Sequence, residues 1–195
     1  MARSPQAPAD RVLEAAHELF RQQSIDAVGV DTISARSGVS KSTLYRHFPS
    51  KGALVEAYLR RHHDRRLQEW VDAVQGDGGD PVARLLGVFD WLAAWFGSED
   101  FRGCRFLNAA VQLPDPAHPA FGIPAAHKES VRVLLVELGR EAGAPDPEEL
   151  AHQIALLIDG AIMHALLEGG PAPAGRAKHL ARLAVAAQGV AAASP

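Results

Sequence analysis

Helices and no sheet are what this sequence predicts, on three observations. Apolar residues recur at helical spacing through most of the 195 residues, β-branched alternation and Asn-Gly turns are almost absent, and Gly- and Pro-bearing breaks separate the periodic segments. The expected fold is all-α, about nine helices in an N-terminal group of three and a larger helical body. The length suits one or two domains with a real core. With 47% hydrophobic and 22% charged residues, disorder throughout is excluded. The single cysteine excludes an internal disulfide framework. The first ten residues lack the apolar stretch of a signal peptide, and no uninterrupted apolar run of about 18 residues occurs, so a cytoplasmic protein is expected.

Taken in order, residues 1–9 read as a loose arm whose Arg3 can brush a polyanion, and Asp10 as the cap of a first helix over 11–22. Val12, Ala16, Leu19 and Phe20 give that helix an inner face. A short helix over 30–36 follows, with Val30 and Ile33 inward, and Gly38 supplies the positive φ that turns the chain. Ser40 caps the next short helix. Leu44 and Phe48, four apart, anchor it and leave Lys41, Ser42, Thr43, Tyr45, Arg46 and His47 pointing outward. Pro49 stops it, and Ser50 caps a fourth helix that opens with Lys51 and runs past Trp70 to Val74. The RRHHDRR run at 60–66 interrupts its apolar stripe and reads as a solvated or salt-bridged face.

Helix, glycine-bearing turn, helix is the arrangement of a helix-turn-helix, whose second helix enters the DNA major groove. An ordinary helical hairpin is the alternative. Charge favours the former: residues 1–66 hold 11 Lys+Arg and 7 Asp+Glu, a net +4, and the remainder 9 and 16, a net −7. A basic head on an acidic body suits a protein that touches DNA with one end.

Beyond the GDGGD break before Pro81, where Asp80 caps, the spacing predicts helices over 81–96, 101–113, 125–142, 147–168 and 174–192. Pro-rich connections lie at 113–119 and 121–124. No repeat, P-loop, dinucleotide fingerprint or nucleophile motif occurs, so no enzyme and no cofactor are expected. The nine histidines include no pair at i, i+4 with cysteine support, so no metal site is expected.

The segment from Arg11 to beyond Lys51, and SGVSKSTLYRHFPSK most specifically, resembles the DNA-binding domain of the tetracycline-repressor (TetR) family. Ser24 stands where the family usually has glycine, Ser34 where it has alanine, and Val28-Gly29 where it has a hydroxyl pair. The resemblance implies a DNA-binding domain over 1–50, with Ser40, Lys41, Ser42, Thr43, Tyr45, Arg46, His47 and Lys51 at a palindromic operator. It also implies a ligand-binding and dimerisation domain over 51–195. A homodimer through the last two helices is implied, for which Leu157, Ala161, Leu180, Leu183, Ala184 and Ala187 are candidates. A small-molecule pocket is implied too, with Trp91, Trp95, Cys104, Phe106, Asn108, Phe121, His127, Asp159 and Met163 as candidate lining. Among these, Asn108 and Asp159 stand out as polar groups set among apolar neighbours. Aromatics with one acid suit an apolar or cationic effector. A ligand-released repressor is therefore expected. The alternatives are a helical protein-interaction module, or a constitutive DNA binder with no small-molecule ligand.

Overall fold

The computed structural model describes residues 6–75 and 79–190, and among them the chain forms nine α-helices and no strand. They are α1 (Pro8–Gln22), α2 (Val30–Ser37), α3 (Lys41–His47), α4 (Lys51–Gln75), α5 (Pro81–Phe96), α6 (Arg105–Gln112), α7 (Ile123–Glu141), α8 (Pro147–Glu168) and α9 (Ala172–Ala187). The chain divides into two compact units. One holds the residues up to Asp64 with Phe106–Ala125, the other Arg65–Arg105 with the residues from Ala126 onward.

In the first unit α1, α2 and α3 pack mutually around Val12, Ala16, Ile33 and Leu44, all fully buried. Asp10 does not cap α1: the helix begins earlier, at Pro8, whose fixed φ suits a first turn, and Asp10 sits within that turn. Its carboxylate receives Arg61 Nη1 at 3.1 Å. Arg3 lies outside the described residues. The first turn of α4 lies against the proline-rich connection, where a Cβ on Gly52 would stand 3.3 Å from Pro119 Cδ. A backbone amide, Ile25 N–H, donates to Gln112 Oε1 at 2.7 Å and ties α6 to the loop after α1.

In the second unit α5, α8 and α9 form the packed centre, with Leu85, Phe89, Leu92, Leu150, Ile154 and Ala181 in its core. Asp80 accepts from Ala83 N–H at 3.0 Å and Asp146 from Glu149 N–H at 3.0 Å, each ahead of a proline in the first turn. The helix expected over 101–113 is shorter, because Gly103 takes φ +75° and Phe101 turns back onto Trp95 and Phe96 instead of propagating a helix. α7 starts two residues sooner than expected, since Pro124 fits its first turn. α9 begins at Ala172 and ends at Ala187, before Gly189 at φ +72°; residues 191 and 192 lie outside the described residues.

α8 is apolar enough along 18 residues to cross a membrane by length and composition, with a mean hydropathy of 1.5. Its packing supplies another reason. One face, Leu150, Ala151, Ile154, Ile158 and Ala161, is buried within the unit, while Leu156, Met163, Leu166 and Leu167 stand exposed.

Candidate nucleic-acid interface

The turn that aims α3 is fixed from three sides. Gly38 ends α2 at φ +63°, a left-handed conformation costly for any residue with a Cβ. Ser34 Oγ donates to Val39 carbonyl oxygen at 2.6 Å, and Ser37 Oγ to Ser34 carbonyl oxygen at 3.1 Å. A hydroxyl at position 34 thus closes the turn from inside. Ser40 Oγ accepts from Thr43 N–H at 3.3 Å and caps α3, and Ser50 Oγ accepts from Ala53 N–H at 3.0 Å and caps α4. α2 begins at Gly29 without a side-chain cap.

Leu44 is fully buried and Phe48 nearly so, which pins α3 by one face. Lys41, Ser42, Tyr45, Arg46 and His47 stand exposed on the other, with Thr43 half-buried at its edge. Tyr45 is 46% exposed although aromatic, and no core contact explains its placement. Donors of this kind on one short helix match base edges and phosphate oxygens.

The cations differ in how free they are. Lys41 pairs with Asp31 at the start of α2, and that carboxylate holds its ammonium above the usual lysine range. Lys51 Nζ donates to the Asp26 carbonyl oxygen at 3.2 Å. Arg36 pairs with Glu18, and Arg46 has no intramolecular partner among the described residues.

Comparisons with known proteins bear on the whole chain. The sequence model of the family described as bacterial regulatory proteins, tetR family, matches residues 12–58, the span from α1 into α4. A solved TetR-family transcriptional regulator of Streptomyces coelicolor is 31% identical, with a TM-score of 0.85 over 95% of this chain and 91% of that one. The chain belongs to the TetR family. A Streptomyces avermitilis protein described as a TetR transcriptional regulator is 30% identical, again with a TM-score of 0.85, over 95% of this chain and 100% of its own. An HTH-type transcriptional regulator of Mycobacterium tuberculosis (strain ATCC 25618 / H37Rv) is 40% identical over 105 residues, 49% of this chain and 52% of that protein. The chain thus spans about half the length of this curated relative where the two match.

Within this TetR-family fold the pocket candidates fall into both units. Phe106, Asn108 and Phe121 belong to the first, and Trp91, Trp95, Cys104, His127, Asp159 and Met163 to the second. Asn108 is not buried as expected. It lies on the exposed side of α6, whose inner face is Phe106 and Ala109. Phe121 and Met163 are also exposed, and Phe106 stacks on His62 at 5.3 Å. Asp159 has its charge met by Lys128. Trp91 and Trp95 stack at 5.9 Å with the Arg66 guanidinium over both rings.

The RRHHDRR run is only partly a solvated face. Arg60 and Arg61 form exposed ion pairs with Glu56 and Asp10, but His62 is buried between Tyr58 and Phe106, and Arg66 lies against the tryptophans. Helical spacing held the signal: Tyr58, His62, Arg66 and Trp70 are each four apart. Of the interface candidates, Leu180, Leu183 and Ala187 are exposed, Leu157 and Ala184 half-buried, and Ala161 buried.

Proposed function

We propose that this TetR-family chain is a cytoplasmic, non-enzymatic transcriptional repressor that binds a palindromic operator as a homodimer and leaves it when a small molecule binds. The observation that carries the reading is the exposed face of α3, capped by Ser40 and pinned by Leu44, beneath a turn closed by Gly38 and Ser34. Tyr45, Arg46, His47 and Lys41 are assigned to base edges and nearby phosphates, Ser40, Ser42 and Thr43 to phosphates, and Lys51 to a phosphate at the start of α4. Residues 1–50 read DNA in this account, and 51–195 bind the effector and the second subunit. α4 serves both roles, since it opens with Lys51 and carries Arg66 and Trp70 in the second unit.

Support for a homodimer comes from the free side of α8 and α9. Leu156 and Leu167 are each 74% exposed, and Met163, Leu166, Leu180 and Leu183 lie roughly half exposed beside them. A groove of about 300 Å³ between the two helices is lined by Leu157, Gly160, Ala161, Ala177 and Leu180. Apolar surface of this extent marks an association site, and a mate burying it would form a four-helix bundle. Two-fold pairing also sets two recognition helices about one turn of DNA apart, roughly 34 Å.

The test is selection of binding sites from random duplexes, followed by gel-shift with Tyr45→Ala. A two-fold symmetric consensus that the variant no longer binds, with helicity retained, supports the reading. Binding that ignores sequence and survives Tyr45→Ala would move it to a protein-interaction module.

A further inference from the structure

All three tryptophans of the chain, Trp70, Trp91 and Trp95, lie in one cluster of the second unit, with neighbouring rings 5.0 and 5.9 Å apart. The cation that such rings attract is already present. Arg66 sits 4.2 Å from the Trp95 ring centre and 5.2 Å from that of Trp91, its side chain only 12% exposed. Among the described residues one carboxylate reaches it, Glu69 at 2.7 Å, from the more exposed side.

Arg105 shares these surroundings. Burial lowers the proton affinity of Arg66, Glu69 and Cys104 oppose that, and the nearby Arg105 and Arg65 charges lower it further. The Nε–H of Arg105 is fully buried and meets no hydrogen-bond acceptor among the described residues. Cys104, buried beside it, brings no acceptor of comparable strength. Arg66 thus has one half-exposed carboxylate, and the buried donor of Arg105 is unmet. Buried donors in native proteins are nearly always satisfied, and each exception calls for a water, an ion, strain or a functional role to account for it. A cationic ligand would meet two like charges here. What is missing is an acceptor with negative charge and two oxygens in a plane, the complement of a guanidinium.

We propose that Arg105 and Arg66 form a carboxylate subsite, so that the effector is an organic acid whose flat apolar body lies against Trp91 and Trp95. The inference rests on the ligand-responsive reading above. The acid's oxygens take the Arg105 Nε–H and compete with Glu69 for Arg66, which makes α4 the helix that feels the ligand. This revises the apolar or cationic effector expected from aromatics plus Asp159, whose charge Lys128 already meets.

Calorimetric titration of the full chain with 1-naphthoate and with neutral 1-naphthamide tests the subsite. The acid should bind about tenfold or more tightly than the amide, a preference worth one charge-assisted contact. Arg105→Gln should abolish the preference without lowering the melting temperature, because it removes an unmet donor rather than a contact. Arg105→Lys, which keeps the charge, should retain part of it. Equal affinities, no heat from naphthoate at millimolar concentration, or a preference that survives Arg105→Gln would overturn the proposal. Arg105→Gln that melts at lower temperature would also count against it, since it would show a structural role. Gel-shifts on the selected operator separate this from the release reading. Naphthoate that binds with the acid preference yet leaves the complex intact keeps the subsite and sinks release. Release by naphthamide as readily as by naphthoate keeps release and sinks the subsite.

Discussion

Lys41, assigned above to DNA, has its charge already engaged. Its ammonium pairs with Asp31, and both groups are exposed, so the pair adds little to stability but must open when a phosphate arrives. On that assignment the Asp31 charge repels the phosphate backbone that Lys41 attracts. Asp31→Asn should therefore raise affinity for DNA of any sequence several-fold and steepen the salt dependence, as read by fluorescence anisotropy across a salt series. Lys51→Ala should do the reverse, lowering the salt slope by about one with no change in base preference. A changed consensus with an unchanged slope would place Lys51 on a base instead. These partners were not legible in the sequence. Asp31 and Lys41 are ten residues apart on different helices, and only the angle of the turn between them brings the charges together.

The turn and its two helices were more legible, because their determinants are local. Ser40, Pro49, Ser50 and Gly38 act on backbone within four residues of themselves, and each does so where its chemistry requires. Gly38→Ala should cost about 1 kcal/mol, the price of a left-handed conformation for a residue with a Cβ. Among the described residues only Arg11 Nη1 comes within 4 Å of that added Cβ, so no clash adds to it. Ser40→Ala should cost about 1 kcal/mol through the lost cap. Chemical denaturation measures both, and a shift below a few tenths in either would show that tertiary packing alone holds α3. Elements governed by distant contacts read less well. The start of α6 depends on Phe101 turning back to Trp95 and Phe96, and the burial of Asn108 was misjudged because apolar neighbours in sequence include residues on the opposite face of a helix.

At the scale of the molecule, the sequence shows two long Ala- and Leu-rich helices but not which of their faces the chain itself covers. α9 buries Ala174, Ala177, Ala181 and Val185, leaving Leu180 and Leu183 outward, and α8 likewise leaves Leu156 and Leu167. Leu183→Glu should yield monomers in sedimentation with helicity intact, and operator affinity should fall by orders of magnitude as the second half-site contact is lost. A stable dimer in that variant would move the interface to another face. Arg66 and Arg105 were illegible for a related reason: one hid in a run that reads as solvated, and the other reads as an ordinary surface charge until its buried Nε is seen.

The central claim is that α3, presented twice by a two-fold dimer, reads DNA. Hydroxyl-radical footprinting of wild-type protein and Tyr45→Ala on a duplex selected from a random pool tests it most directly. The account predicts two protected major-groove segments about 34 Å, one helical turn, apart and related by a dyad, with both lost together in the variant. A single protected segment, or protection unchanged by Tyr45→Ala, would contradict it.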